Sequence, residues 1–147
     1  MLQASKTTVH ASCVLVGRSA VLIRGASGSG KSRLAFALID ALPGKARLVA
    51  DDRVHLFAAN GRLLAAAPDA IRGRLEIRGL GVRTVDYEPL ALVMLVVDLG
   101  AADAARMPED ASRSTEISGV KLSRLPVAPD EAALPGVLAA INELTRD

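Results

Sequence analysis

The stretch AVLIRGASGSGKS, residues 20–32, decides how the chain must fold. It opens with a short apolar run typical of a buried strand, and its glycines, Lys31 and Ser32 then satisfy the spacing G-x-x-x-x-G-K-[ST]. In that motif backbone N–H groups cradle phosphates, the lysine reaches the outer phosphates and the hydroxyl binds Mg²⁺. Residues 33–39 follow as a helix that closes at a Pro-Gly pair. Strand, loop and helix therefore occur in the order that a phosphate-binding loop requires.

The composition allows one hydrophobic core and disfavours nucleic acid as a partner. The chain has 147 residues, of which 50% are hydrophobic, and we expect a single domain over residues 1–147. Its 18 Lys and Arg nearly balance 16 Asp and Glu, and the basic residues are scattered. One Tyr, two Phe and no Trp offer no platform on which bases could stack.

No segment of the sequence predicts export or membrane insertion. Cys13 is the only cysteine, so the chain can form no intramolecular disulfide. The first residues lack the apolar region of a signal peptide, and the longest apolar run, residues 90–97, is too short to cross a bilayer. We therefore expect a cytoplasmic protein without a membrane partner.

The pattern of apolar residues predicts an α/β fold in which strands outnumber helices. An Asn-Gly pair at positions 60 and 61 predicts a hairpin, and one continuous apolar run predicts a central strand buried on both faces. The predicted strands cover residues 9–16, 20–24, 47–50, 54–58, 62–66 and 90–99, and a last helix covers 134–145. We expect a P-loop-containing mixed β-sheet flanked by helices, with the loop at the carboxyl end of a central strand.

An acidic pair, Asp51-Asp52, follows the predicted strand at residues 47–50. Phosphoryl transfer requires a carboxylate to hold the metal or orient the nucleophile, and this pair comes soon after the loop helix. Successive strand side chains point to opposite faces, so only one of the two faces the phosphates unless the backbone turns there. The alternative is a solvated acidic turn that closes the strand.

Three stretches resemble, in the same order, the catalytic domain of HPr kinase/phosphorylase: GASGSGKS at 25–32, LVADDRV at 48–54 and LEIRGLGV at 75–82. The last is the most specific, because the loop alone indicates only a superfamily. The resemblance covers about residues 9–127. It implies an enzyme that uses ATP and Mg²⁺ to phosphorylate a regulatory serine of the phosphocarrier HPr. In the reverse direction, phosphorolysis, inorganic phosphate attacks phosphoserine and pyrophosphate is formed.

The resemblance also implies roles for single residues around the nucleotide. Lys31 neutralises the β- and γ-phosphates, and Ser32 with Glu76 binds Mg²⁺. Asp52 matches the proton acceptor and Asp51 a metal or water ligand, although the sequence does not separate the two. The nucleotide-binding residues are Gly25, Ala26, Ser27, Gly28, Ser29, Gly30, Lys31 and Ser32.

Two further residues match active-site positions of the family. His10 would line the same site, with a structural histidine as the alternative interpretation. Arg106 matches an active-site arginine, with a solvated surface arginine as the alternative.

The sequence departs from the family in three places. The catalytic stretch begins almost at Met1, so the chain resembles the short form that lacks the N-terminal domain. The stretch after the signature is contracted to residues 83–89, and the arginine-bearing turn of the family is replaced at residues 126–131 by PVAPDE. Partner docking, phosphorolysis and the hexameric homo-oligomer of the family are therefore open for this chain.

Two other functions fit a phosphate loop. A P-loop kinase of a small metabolite would need a basic lid, and no arginine-rich insertion is present. A non-catalytic nucleotide sensor would need no base, which the acidic pair and Glu76 argue against.

Overall fold

Ten strands and two α-helices make up the part of the chain that the computed structural model describes, residues 8–105, 107 and 109–145. In chain order the elements are β1 Ser12–Val16, β2 Ser19–Arg24, α1 Lys31–Ala41, β3 Ala46–Ala50, β4 His55–Ala59, β5 Arg62–Ala66, β6 Arg74–Ile77, β7 Gly81–Thr84, β8 Ala91–Leu99, β9 Ser114–Ile117, β10 Val120–Val127 and α2 Leu134–Leu144. Short 3-10 turns cover Asp69–Ile71 and Asp110–Arg113. Neither α-helix is long and apolar enough to cross a membrane.

Eight strands form one mixed sheet, and β6 and β7 form a separate hairpin. The main order is β3-β1-β2-β8-β10-β9, with β5 bonded to the first half of β8 and β4 bonded to β5. Strand β8 runs parallel to both β2 and β10, whereas the other pairs are antiparallel. The predicted central strand is therefore confirmed in its position, as is the mixed α/β sheet with the loop at the carboxyl end of β2. The predicted burial on both faces holds at residues 95–97, whereas Met94 is exposed.

The strand directions bring three distant segments to one edge of the sheet. Because β1 is antiparallel to both β2 and β3, the carboxyl ends of β2 and β3 lie beside the amino end of β1. The phosphate loop, defined as residues 25–32, leaves β2 at this edge. Asp51 and Asp52 leave β3 there, and His10 precedes β1 there. Ligands of α/β sheets bind at this edge.

Helices cover one face of the sheet and strands cover the other. Helix α1 packs there through Leu34 and Leu38, and α2 through Val137 and Ile141, in a core that also takes Leu75 from β6. The β4–β5 hairpin closes the opposite face. The apolar face predicted for the last helix is therefore confirmed as a packing surface.

Candidate active site

The phosphate loop ends where α1 begins. Gly30 caps the helix with a φ of 103°, in the left-handed region that residues with a Cβ rarely adopt. Lys31 and Ser32 are then the first residues of α1. The loop and the start of the helix line a cavity of about 680 Å³, so the free N–H groups of the first turn lie next to it.

Gly25 and Ser29 lie close together at the base of the phosphate loop. A Cβ on Gly25 would run into the Ser29 hydroxyl and approach the Cβ of Leu99 to 3.2 Å, so only glycine fits there. Ser29 lines the cavity, and its buried Oγ has no hydrogen-bond partner among the described residues. A buried hydroxyl requires a hydrogen-bond acceptor, and an oxygen of a bound phosphate would provide one. The loop therefore fits the phosphates that its motif predicts.

The ammonium group of Lys31 is held inside the loop. Lys31 is only 7% exposed, and its Nζ donates to the carbonyl oxygens of Gly25 at 2.9 Å and Ala26 at 3.0 Å. An ammonium group has three donors, so these contacts leave one for an anion in the cavity. The cation is therefore positioned before any phosphate arrives.

The buried carboxylate of Asp51 gathers donors from three segments. The hydroxyl of Ser32 donates to both of its oxygens, at 2.8 and 2.9 Å, and the hydroxyl of Ser12 donates to Oδ1 at 2.6 Å. The backbone N–H of Glu76 donates to Oδ2 at 3.3 Å. Burying a carboxylate is unfavourable unless donors surround it, and both oxygens of Asp51 are supplied. Asp51 therefore ties the start of α1 to β1 and β6.

Asp52 turns away from its neighbour and into the cavity. Its φ of 78° turns the backbone after β3. Because of this turn, the side chains of the acidic pair need not point to opposite faces as they would in a regular strand. The side chain is 70% exposed, and its Oδ1 accepts a 3.0 Å hydrogen bond from Nε2 of His10. Both side chains line the cavity. The structure therefore gives the two carboxylates different surroundings.

The β6–β7 hairpin supplies the opposite wall of the cavity. Glu76, Ile77 and Arg78 line it there, and the Glu76 backbone is the part that contacts Asp51. Among the described residues, no three His, Cys, Asp or Glu side chains gather as a metal site. Magnesium in nucleotide sites needs few protein ligands, since it keeps water and phosphate oxygens. The oxygens of Ser32 and Glu76, which both line the cavity, suit such an ion, whereas three donors already occupy the Asp51 carboxylate.

Two further residues bear on the site, one that the sequence predicted and one that it did not. Arg106 lies outside the described residues and stays a prediction. Sequence reasoning overlooked Ser12, which is fully buried against Asp51. The signal was its position two residues after His10, because alternate residues of an extended segment share a face.

Comparison with known proteins agrees with this geometry. The family model of the HPr serine kinase C-terminal domain matches residues 2–130. The chain is 38% identical over 96 residues to an HPr kinase/phosphorylase of Clostridium tetani, covering 65% of this chain and 30% of the relative. It is 32% identical over 133 residues to that of Streptococcus equinus, covering 83% and 42%. The Hpr(Ser) kinase/phosphatase structure from Coxiella burnetii matches with a TM-score of 0.75 and 28% identity, covering 96% of this chain and 97% of that one.

The relatives also set a limit on the comparison. The chain spans less than half the length of these two curated relatives. The predicted resemblance to the catalytic domain, and the fold that it implies, are confirmed by the family match and the structural match.

Proposed function

The chain belongs to the family of the HPr serine kinase C-terminal domain, and we propose that it uses ATP and Mg²⁺ to phosphorylate a serine of an HPr-type phosphocarrier protein. The same site would run the reverse phosphorolysis, with inorganic phosphate as the attacking substrate and pyrophosphate as the product. The names of its relatives support both directions, since they are called HPr kinase/phosphorylase and Hpr(Ser) kinase/phosphatase.

One observation carries the proposal: two adjacent carboxylates have different surroundings, and only that of Asp52 lines the cavity. Asp51 is buried against the Ser32 hydroxyl, whereas Asp52 is exposed in the cavity beside His10. A sensor that only binds nucleotide needs the first arrangement and has no use for the second. The combination supports catalysis of phosphoryl transfer.

The loop residues would hold the nucleotide and its metal. Lys31 and the first N–H groups of α1 are positive and lie beside the cavity, so they would bind the outer phosphates. Ser32 would offer a lone pair of its oxygen to Mg²⁺ while its O–H still donates to Asp51, and Glu76 would add a second oxygen from the opposite wall. When bound, Mg²⁺ supplies positive charge that offsets the charge of the transferring phosphoryl group.

Asp52 is the group that we assign to proton transfer. Asp51 is unsuited to it, because three donors already occupy its buried oxygens. In the kinase direction the serine oxygen bonds to the γ-phosphorus and the bond from that phosphorus to ADP breaks. Asp52 accepts the serine proton. The N–H of His10 holds the carboxylate in place for this step.

The reverse direction uses the same carboxyl group in its protonated form. An oxygen of inorganic phosphate bonds to the phosphorus of phosphoserine, and the bond from that phosphorus to the serine oxygen breaks. Asp52 donates its proton to the leaving oxygen, which regenerates the serine hydroxyl and releases pyrophosphate.

The test is transfer of phosphate to a defined serine. The purified chain is incubated with HPr-type proteins, ATP and Mg²⁺, and phosphoserine is located by mass spectrometry. We expect one phosphate on one serine, with none on an HPr variant in which alanine replaces that serine. Asp52→Asn should remove the transfer, whereas Asp40→Asn, on the exposed side of α1, should retain it.

Two results would contradict the proposal. ATP binding without transfer to any HPr would favour a kinase of a small metabolite. Equal transfer by the wild type and Asp52→Asn would remove Asp52 from the mechanism.

A further inference from the structure

Four charged side chains form a continuous ion chain; three lie on the parallel strands β2, β8 and β10, and the fourth lies on the connection between β8 and β9. We name it the ion chain Arg24–Asp98–Arg124–Asp103. Arg24 donates from Nε and Nη2 to the two oxygens of Asp98, at 2.7 and 2.8 Å. Arg124 donates from Nε to Oδ2 of Asp98 at 2.6 Å, and from Nη1 and Nη2 to Asp103 at 2.8 and 3.1 Å. Each guanidinium therefore meets at least one carboxylate in a forked geometry.

The middle of the ion chain is withdrawn from solvent. The side chains of Asp98 and Arg124 are 16% and 13% exposed. Burial disfavours the charged form of Asp98, but hydrogen bonds from Arg24 and Arg124 outweigh it, so its pKa lies below the ordinary value. The hydrogen bond to Asp103, with that to Asp98, raises the pKa of Arg124 despite its burial. Removal of one member would leave a buried charge without its partner.

One end of the ion chain lies at the root of the phosphate loop. Arg24 is the last residue of β2, directly before Gly25, and it pairs in register with Asp98 on β8. Leu99, the residue after Asp98, places its Cβ 3.2 Å from the position that a Cβ on Gly25 would take. The ion pair between Arg24 and Asp98 therefore fixes the ends of β2 and β8, which lie next to the phosphate loop.

The other end of the ion chain holds the connection between β8 and β9. Besides its bonds to Asp103, Arg124 donates from Nη1 to the carbonyl oxygen of Ser112 at 3.0 Å. Asp103 and Ser112 both belong to that connection, in which the N–H of Ala101 also donates to the carbonyl oxygen of Val127 on the sheet. A single guanidinium thus joins this connection to the root of the phosphate loop.

None of the four residues lines the cavity, whereas residues 27–32 of the phosphate loop do. We propose that Asp98 and Arg124 are positioning residues, which hold the phosphate loop in its binding conformation and couple it to the β8–β9 connection. This inference rests on the proposed binding of ATP. A loop that is already ordered binds without the free-energy cost of ordering.

A purely structural ion chain would behave differently. It would contribute to the stability of the fold and leave the affinity of the folded protein for ATP unchanged. A positioning role changes that affinity at temperatures where the variant is fully folded. It also makes ATP binding alter the β8–β9 connection, because coupling between two sites is reciprocal.

The experiment measures ATP binding and hydrogen exchange separately from catalysis. Titration of Mg²⁺ and ATP into the wild type, Asp98→Asn and Arg124→Lys is done well below each melting temperature. We expect the Kd for ATP to rise about tenfold in Asp98→Asn, and less in Arg124→Lys, which keeps the charge but loses the fork. The KM for ATP should rise in parallel while kcat changes little. Arg24→Gln provides a third variant if Asp98→Asn does not fold.

Hydrogen exchange provides the second measurement. In the wild type we expect ATP to slow exchange at the described amides of the connection, including those of Asp103 and Ser112. Arg124→Met should abolish that response while the loop amides are still protected by ATP. Asp69→Asn, which removes the remote exposed pair between Asp69 and Arg72, serves as the matched control with wild-type behaviour.

The outcomes separate this inference from the proposed function. An unchanged Kd in folded Asp98→Asn and Arg124→Lys would overturn the positioning role, even if HPr is phosphorylated. Binding of ATP without transfer to HPr would contradict the proposed substrate. The affinities of the variants for ATP would still decide whether Asp98 and Arg124 position the loop. Absence of ATP binding in the wild type would overturn both.

Discussion

The hydroxyl of Ser32 donates to both carboxylate oxygens of Asp51, at 2.8 and 2.9 Å. This contact joins the first turn of α1 to the end of β3, two segments that are separated by 19 positions in the chain. It commits the proton of Ser32 to Asp51 and leaves the oxygen lone pairs free for a metal. Asp52, the next residue, contacts His10 instead. Two adjacent residues of one type should therefore respond differently to the same substitution.

Asp52→Asn should suppress phosphorylation and phosphorolysis together, because we assign the proton transfer in both proposed directions to this one group. Asparagine also tolerates the left-handed conformation of this position, so the free energy of unfolding should change by less than about 0.5 kcal/mol. Asp51→Asn should lower stability by about 1–3 kcal/mol, since the amide cannot accept every donor around it. It should also raise the Mg²⁺ requirement. Rates in both directions, Mg²⁺ titrations and urea denaturation distinguish the two variants. An active Asp52→Asn beside an inactive Asp51→Asn would reverse the assignment of the base.

Lys31→Met should lower the rate of transfer on the order of 10²- to 10³-fold, because it removes the ammonium group that the loop holds beside the phosphates. Methionine retains much of the buried aliphatic stem, so the protein should stay folded. Single-turnover rates at saturating ATP give the measurement. The exposed Lys45→Met is the control and should match the wild type. A loss smaller than tenfold in Lys31→Met would contradict the role of Lys31.

Glu76→Gln should raise the Mg²⁺ concentration at half-maximal activity by about tenfold or more, since the amide keeps the shape but not the charge that a hard cation prefers. Binding of ATP without metal should change little. Glu116→Gln, on the exposed face of β9, is the matched control. An unchanged Mg²⁺ midpoint in Glu76→Gln would remove this residue from the metal site.

Acid should destabilise the wild type more steeply than Asp98→Asn. The pKa of Asp98 is lowered in the folded protein, so its contribution is complete above its unfolded pKa of about 3.9 and is lost as the pH falls below that value. Urea denaturation at pH 6, 5, 4 and 3 measures the free energy of unfolding of both proteins. The other carboxylates titrate in both, so the difference in slope isolates Asp98. Parallel curves would show that the ion pairs of Asp98 do not favour its charged form.

Two glycine substitutions should have opposite effects. Gly25→Ala places a methyl group against the Ser29 hydroxyl and should cost about 1–3 kcal/mol of stability and most of the affinity for ATP. Gly136→Ala lies in α2, where the nearest atom is 3.7 Å away, and should stabilise the protein by about 0.5–1 kcal/mol with unchanged binding. Melting curves and ATP titrations check both. Normal ATP affinity in Gly25→Ala would show that the loop can relax around a methyl group.

Local patterns were sufficient to predict most of the elements. The apolar run at residues 90–99 is observed as β8, Ala91–Leu99, and the Asn-Gly pair joins β4 to β5. The helix predicted at residues 33–39 extends from Lys31 to Ala41. It begins two residues before the predicted start because Gly30 is its N-cap. The strand predicted at 9–16 begins only at Ser12, although Val9 forms an isolated bridge to Val54. Element ends depend on partners that a local pattern does not contain.

The site was only partly accessible to sequence reasoning. The phosphate loop follows from a motif, but the separation of the acidic pair depends on the positive φ of Asp52, which composition does not reveal. The ion chain is harder still, because Asp98 lies 74 positions from Arg24 and 26 from Arg124. Their meeting requires the parallel registers of β2, β8 and β10, which are set by the whole core. Strand β7 is exposed at every residue, so no apolar alternation predicted the β6–β7 hairpin.

The pairing of β2 with β8 has a consequence for synthesis on the ribosome. The strand that carries the phosphate loop receives its second neighbour only when residues 91–99 have been translated, because Arg24 pairs with Asp98. Arg124, which completes the clamp on Asp98, is made later still. A nascent chain can form the β1–β2 hairpin early, but it cannot complete the cavity beside the phosphate loop until most of its length has emerged. Premature termination after the signature motif would therefore release every residue assigned to the phosphates without the sheet that holds them in place.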